Sequence, residues 1–299
     1  MAVARPPTGD LVLIAVAVAA VSTSAPLIRE AEAPALAIAF WRNALAVSVL
    51  APVCLVRRRA EIAGLSRTAA RGSLLAGALL AAHFATWVPS LSFTTVASSV
   101  ALVATQPVWA ALLARARGED VPAQAWLGIG LAFGGAVFLT GVDVSVSGRA
   151  LVGDLLALAG GMLAAAYVTV GADVRQSVST TLYTTICYST AGALLGLLCI
   201  GGGQHLTGFD GRTWLCVLAI TVGPQLLGHS LVNRVLRTTS ATVVSVAILF
   251  EIVGATLLAW AAFGETPPAG AYPAAVLITA GIVLVVLAGR PPALPPPVD

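Results

Sequence analysis

The fold is decided by residues 151–171, which read LVGDLLALAGGMLAAAYVTVG and carry a single charged side chain. The motif Gly153-Asp154-Leu155, near the start of this segment, also occurs 144 positions earlier as Gly9-Asp10-Leu11, at the start of an equally apolar segment. An apolar stretch of about 20 residues has the length of a membrane-spanning helix. The two segments therefore predict two membrane helices at corresponding places in a duplicated chain.

The duplication extends over the rest of the sequence. Four further features recur at an offset of 145 or 146 positions: Gly118-Glu119 with Gly264-Glu265, Pro122-Ala123 with Pro268-Ala269, Ala111–Ala114 with Thr256–Ala259, and His83 with His229. Each copy has room for five spans, and an odd number of spans gives the second copy the opposite orientation. Inverted repeats of this kind are typical of secondary transporters, whose substrate site lies between the halves.

The composition agrees with a membrane protein. Of the 299 residues, 58% are apolar and only 10% are charged, against about 25% charged residues in soluble domains. This excludes a soluble enzyme, a nucleic-acid-binding protein and a secreted disulfide scaffold. The four cysteines lack C-x-x-C spacing and are interpreted as small buried apolar residues rather than metal or redox ligands: Cys54, Cys187, Cys199 and Cys216.

Breaks in the apolar pattern predict an all-α membrane protein with ten transmembrane helices. The predicted spans are 10–28, 34–56, 72–90, 94–114, 122–140, 151–171, 178–200, 212–231, 239–262 and 270–289. They form a first five-helix repeat over 10–140 and a second, inverted one over 151–289. The tail 290–299 is rich in proline and is predicted to be disordered.

The arginines predict the orientation of the chain. With a cytoplasmic N-terminus, twelve arginines lie on the inner side and three on the outer side. This bias agrees with the positive-inside rule and predicts that both termini are cytoplasmic. The predicted location is the plasma (inner) membrane.

Several motifs resemble those of a known family. Each half resembles an EamA repeat of the drug/metabolite transporter superfamily, on the following segments: Phe40-Trp41-Arg42 and Gln106–Arg115 in the first half, and Gly153-Asp154-Leu155, Tyr167 and Glu251–Trp260 in the second. The resemblance implies a ten-helix membrane transporter, often an exporter of amino acids, other metabolites or toxic compounds. It does not imply one particular substrate.

Glu251 is the first candidate for a functional residue, because it lies near the middle of the ninth predicted span. A carboxylate at that depth costs about 2.5–3.5 kcal/mol to insert. Glu251 therefore either exchanges a proton and binds substrate during transport, or is a neutral acid bonded across a helix interface. Its counterpart in the first repeat is Gln106, which is polar but cannot titrate.

The two repeat-related histidines are the next candidates. His83 shares a helix face with Trp87, and His229 shares one with Gln225 and Asn233. A histidine can respond to a proton gradient, but it can equally serve as an interhelical hydrogen-bonding residue. Both interpretations stay open.

Arg42 lies well inside the second predicted span, about eight residues from its outer end. It either binds an anionic group such as a substrate carboxylate, or reaches outward to pair with an acid such as Glu30 or Glu32. Aromatic residues near the predicted cavity suit an apolar or aromatic substrate, although packing explains any one of them equally well: Trp41, Trp87, Trp109 and Tyr167.

These observations predict a secondary active transporter that exports small amino-acid-like or amphipathic compounds by alternating access coupled to protons. Its predicted partners are the small-molecule substrate and the lipid bilayer. No G-x-x-x-x-G-K loop for ATP is present, and no cofactor, metal or nucleic acid is expected. The alternatives are an uncoupled facilitator or channel and, further behind, an intramembrane enzyme. The oligomeric state is left open.

Overall fold

The computed structural model describes residues 8–228, 231, 235 and 247–288, and this part of the chain contains helices and no strand. The helices are α1 Thr8–Ser22, α2 Ser24–Glu30, α3 Ala35–Arg57, α4 Arg59–Ala63, α5 Arg67–Ser90, α6 Val96–Val103, α7 Gln106–Ala116, α8 Ala123–Val146, α9 Ala150–Val174, α10 Thr180–Gly201, α11 Gly211–Ile220, a π-helical segment Thr221–Gly228, α12 Phe250–Phe263 and α13 Ala271–Ala288.

The described helices include eight that are long and apolar enough to cross a membrane: Gly9–Glu30, Ala35–Arg57, Arg67–Ser90, Val96–Ala116, Ala123–Asp143, Ala150–Val174, Thr180–Gly201 and Ala271–Ala288. They correspond to the first seven predicted spans and the tenth. The eighth and ninth predicted spans each lie partly outside the described residues. The described part of the eighth begins with α11, and that of the ninth ends with the shorter apolar helix Phe250–Phe263. The count of ten therefore stays a prediction, as does the disordered tail at 290–299.

Two of the long helices are interrupted. The first breaks at Thr23, between α1 and α2, and the fourth breaks between α6 and α7, just before Pro107. At the first break the Ser22 hydroxyl donates to the Val18 carbonyl at 2.8 Å, and at the second the Thr105 hydroxyl donates to the Leu102 carbonyl at 2.6 Å. Side-chain hydroxyls of this kind satisfy backbone groups that a break would otherwise leave unpaired in lipid.

Glycine allows two pairs of helices to pack closely. In the pair α8–α13, a Cβ atom added at Gly281 would lie 2.5 Å from the carbonyl oxygen of Gly128. In the pair α5–α9, a Cβ atom at Gly160 would lie 3.0 Å from the Cβ of Trp87. Small residues at such crossings provide the van der Waals contact that holds membrane helices together.

The two halves of the chain interdigitate. Helix α10 packs against α3 and α5, and α1 packs against the π-helical segment and α12. Side chains from both halves therefore meet where α3, α5, α10 and the π-helical segment converge.

The loops between helices carry the caps that helix termini require. Ser66, Thr95, Ser179 and Asp210 each accept a hydrogen bond from the third residue beyond them. Asp210 accepts from the Thr213 amide at 2.8 Å, and hydrogen bonds from Thr213 lower the pKa of this exposed carboxyl. Gly264 ends α12 with a φ of 64°, a left-handed conformation that favours glycine.

Candidate functional site

Arg42 is the centre of a buried polar cluster. Its side chain is 2% exposed, and its Nε donates a hydrogen bond to Oε1 of Gln225 at 2.5 Å. The guanidinium carbon lies 4.5 Å from the centroid of the Phe84 ring, within the range of a cation–π contact. Arg42 therefore points inward, and the alternative in which it pairs with Glu30 or Glu32 is not the arrangement in this structure.

An amide network completes one side of the cluster. Nε2 of Gln225 donates to Oδ1 of Asn43 at 3.3 Å, and Nδ2 of Asn43 donates to the Ala39 carbonyl at 2.8 Å. Gln225 and Asn43 are both fully enclosed, at 2% and 0% exposure. Because buried amides cost free energy unless they are paired, this network holds the Nε side of the guanidinium in one position.

The backbone around Gln225 is unusual. Pro224 has no N–H to donate, and it lies inside the π-helical segment Thr221–Gly228. A π-helical turn inserts an extra residue into the helical repeat and is frequent at functional sites. Gln225, which lies in this segment, contacts Arg42 and Asn43 of α3.

The other side of the guanidinium is not satisfied. Nη1 of Arg42 is buried and has no hydrogen-bond partner in the described part of the chain. Tyr188 and Glu251 lie within electrostatic range of Arg42, but Glu251 makes no direct ion pair with it in that part of the chain. The cluster thus presents a free guanidinium donor close to a separate carboxylate, an arrangement that can bind an anionic or a polar group between two helices of different halves.

His83 lies on the interface between α5 and α9. Its Nδ1 is 2.9 Å from the Gly160 carbonyl, which can only accept, so Nδ1 is the donor. The imidazole stacks on the Trp87 ring, with centroids 5.7 Å apart and planes 14° apart. The hydrogen bond to Gly160 is the interhelical role of His83 that the sequence left open beside a role in titration.

Trp109 and Gln106 lie at the start of α7. The indole Nε1 of Trp109 donates to the Thr105 hydroxyl at 3.1 Å, and its ring meets Phe133 of α8 edge-on at 5.1 Å. The described contacts do not bring Trp109 together with Arg42.

The remaining aromatic candidates lie elsewhere. Trp41 donates through Nε1 to the Leu206 carbonyl at 2.6 Å and contacts the Trp214 ring at 5.0 Å, which joins α3 to α11. Tyr167 stacks with Tyr183 at 6.4 Å. His229 and Asn233 lie outside the described residues.

Three members of the cluster were not among the predicted site residues: Asn43, Phe84 and Tyr188. Asn43 is an amide next to an intramembrane arginine, and that adjacency was a usable signal. Phe84 and Tyr188 give no such signal, because an aromatic residue in an apolar helix most often packs against its neighbours.

Comparisons with known proteins agree with this architecture. The sequence matches the EamA-like transporter family twice, over residues 8–141 and 151–287. A solved structure titled only "Crystal structure of protein" is similar to the chain, with a TM-score of 0.63 and 20% sequence identity, over 95% of this chain and 99% of that one. This likeness concerns the fold alone. A search of curated proteins finds no match. Since the two family matches account for most of the chain, the protein belongs to the EamA-like transporter family.

Proposed function

We propose that this protein is a secondary active transporter that exports small amino-acid-like or amphipathic metabolites across the plasma membrane by alternating access coupled to protons. Its family consists of membrane transporters. The observation that carries the proposal is the buried hydrogen bond between Arg42 and Gln225. These residues are 183 positions apart in sequence, and their contact joins the two halves. Glu251 lies within electrostatic range of the same guanidinium.

A site between inverted repeats suits alternating access. In this proposal the two five-helix repeats rock against each other around the Arg42 cluster, which faces each side of the membrane in turn. Substrate binds to the free Nη1 side of Arg42. Glu251 takes up and releases a proton as its exposure to either side changes, which couples substrate movement to the proton gradient.

Two contacts between the halves support such a motion. Oε1 of Glu61, in the first half, accepts from the Ser179 amide at 2.6 Å, and Oε2 accepts from the Ser179 hydroxyl at 2.7 Å. Ser179 is the N-cap of α10 in the second half. A carboxylate at a helix N-terminus is favoured by the helix dipole. With cytoplasmic termini, this contact closes the inner side.

The second contact lies on the opposite side in the proposed topology. Oε1 of Glu265, in the second half, accepts from the Val96 amide at the start of α6 at 2.6 Å. Its Oε2 lies 3.5 Å from Nη2 of Arg29, whose Nη1 also donates to the carbonyls of Leu91 and Thr94 at 2.5 and 3.0 Å. Each half thus supplies a glutamate to a helix N-terminus of the other, which makes the two contacts natural inner and outer gates.

Removing one gate is expected to loosen one side only. A hydrogen bond to a charged group contributes about 1.5–3 kcal/mol, so Glu265→Ala is expected to shift the gate equilibrium by about tenfold or more. Amide hydrogen exchange measured by mass spectrometry should then rise in residues 91–97, and Glu61→Ala should raise it in residues 177–184 instead. Glu32→Ala removes an exposed carboxylate from the same side as Glu265 and is the matched control. Equal increases at both sides in either variant would contradict independent gates.

The function itself is tested in proteoliposomes. We expect the purified protein to accumulate one class among amino acids, nucleosides and amphipathic cations when a pH gradient is imposed. Movement of solute only down its own gradient would identify a facilitator or channel. Turnover of a labelled lipid or peptide without solute movement would identify an enzyme.

A further inference from the structure

A second buried polar cluster lies away from Arg42, where the loop between α5 and α6 meets the ends of α8 and α9. Asp143, near the end of α8, is 2% exposed, and the Thr94 hydroxyl donates to its Oδ2 at 3.5 Å. The Ser98 hydroxyl lies beside the same carboxyl group. The polar groups beside Asp143 are therefore hydroxyl groups.

Asp154 enters the cluster from a different helix, α9. Its side chain is fully buried, at 0% exposure, and neither carboxyl oxygen has a hydrogen-bond partner in the described part of the chain. The hydroxyl groups of Thr94 and Thr140 lie close to it, and Asp143 lies within electrostatic range. A buried carboxylate without a positive partner is strongly disfavoured.

Neither nearby arginine supplies that partner. The Arg149 guanidinium lies over the Phe93 ring, 5.4 Å from its centroid, and Arg29 is engaged by Glu265 and by loop carbonyls. Helices α6 and α13 carry no charged residue. His83 on α5 contacts Gly160, which follows Asp154 on α9 by six residues. In the described part of the chain, no salt bridge reaches Asp143 or Asp154.

We propose that Asp143 and Asp154, with the hydroxyl groups of Thr94, Ser98 and Thr140, bind a hard metal cation of the Na⁺ or Ca²⁺ type. Such cations prefer carboxylate, hydroxyl and carbonyl oxygen ligands, and these are the only polar atoms that the five side chains offer. A cation between the carboxyl groups supplies the positive charge that Asp154 lacks. It also engages both of its oxygens, whereas one shared proton engages a single oxygen of each acid.

The proposed site is tied to the loop that carries the outer gate. The Thr94 hydroxyl contacts Asp143, while the Thr94 carbonyl accepts from Arg29, the partner of Glu265. A Cβ atom added at Gly153 would lie 2.8 Å from the Thr94 amide, so α9 and this loop are closely packed. The bound cation therefore orders the residues around Val96. The link to gating depends on the proposed transport function, but cation binding does not.

The test measures binding without transport. The thermal unfolding midpoint of the purified full-length protein is followed while NaCl replaces choline chloride at constant ionic strength, with CaCl₂ and MgCl₂ in parallel. We expect a saturable rise of the midpoint with at least one cation, because a ligand that binds only the folded state stabilises it. The rise is expected to disappear in Asp154→Asn, which keeps the shape of the side chain.

Three further variants make the result decisive. Thr140→Val removes one hydroxyl and is expected to weaken the apparent affinity several-fold without abolishing it, so the site is tested even if Asp154→Asn does not fold. Asp120→Asn and Glu119→Gln each remove an exposed carboxylate and should leave the response unchanged. The absence of a saturable response, or an equal response in Asp154→Asn, would overturn the proposal. Stabilisation by acid alone, without any metal dependence, would also overturn it and would identify a shared proton.

Discussion

Glu251→Gln is expected to abolish the accumulation of substrate that a pH gradient drives, while the protein stays folded. A gradient of one pH unit supplies about 1.4 kcal/mol per proton, which supports about tenfold accumulation when one proton is coupled. Glutamine has the shape and polarity of glutamate but cannot carry a proton. The variant should therefore move substrate only down its own concentration gradient.

The structure favours Glu251 over Glu61 and Glu265 for this role. It lies in the apolar helix α12, is partly buried, and interacts electrostatically with Arg42. In the described part of the chain it makes no ion pair that would hold it in one state. Glu61 and Glu265, in contrast, are engaged by backbone amides.

The measurement is uptake into proteoliposomes with and without an imposed pH gradient, with wild type and variant at equal protein density. Glu119→Gln is the matched control, because Glu119 is exposed in the loop after α7. Circular dichroism and the thermal midpoint establish that Glu251→Gln is folded. Unchanged gradient-driven accumulation in a folded Glu251→Gln would remove Glu251 from the coupling role.

The spans could be predicted from sequence because lipid imposes a simple rule. A segment that crosses the hydrocarbon core must be about 20 apolar residues long and satisfy its own backbone. The predicted spans 34–56 and 178–200 therefore agree closely with the helices Ala35–Arg57 and Thr180–Gly201. The Gly-Glu pairs at 118–119 and 264–265 were visible in the sequence as part of the duplication. In the structure, glycine at both positions has a positive φ, of 87° and 64°.

The candidate site could be predicted only in part, because its contacts depend on how helices are rotated and aligned. Arg42 and Gln225 are 183 positions apart, and a π-helical turn around Pro224 changes the helical spacing that places Gln225. A 3.6-residue period cannot anticipate that change. The acid pair Asp143–Asp154 was missed for a related reason: the two residues lie near facing ends of consecutive helices, and their shared neighbour Thr94 comes from a loop distant in sequence.

Arg42→Ala is expected to weaken transport of carboxylate substrates by about ten- to a hundredfold relative to neutral analogues. A charge-assisted hydrogen bond contributes about 1.5–3 kcal/mol, and each 1.4 kcal/mol corresponds to about a factor of ten. The free Nη1 is the atom that a substrate carboxylate would meet. Because Nε is already engaged by Gln225, the substrate can use one side of the guanidinium while the protein holds the other.

Arg42→Lys separates charge from geometry. The ammonium group is a point charge and lacks the planar fork of arginine, so it cannot contact Gln225 and a substrate in the same way. We expect it to restore part of the preference for carboxylates, but not the full rate. Transport is measured in proteoliposomes with pairs of substrates that differ only by a carboxylate or its amide.

A structural role for Arg42 makes a different prediction, and Gln225→Leu is the variant that distinguishes the two. This change removes the partner of Nε but keeps the positive charge, so it is expected to lower the thermal midpoint and slow both substrates of a pair alike. If Arg42→Ala behaves in the same way, with equal losses of transport for the acid and its amide, then Arg42 holds the two halves together and does not bind the substrate. If Arg42→Ala abolishes transport of the acid but not of its amide, Arg42 binds a negative group on the transported molecule through the Nη1 that Gln225 leaves unpaired.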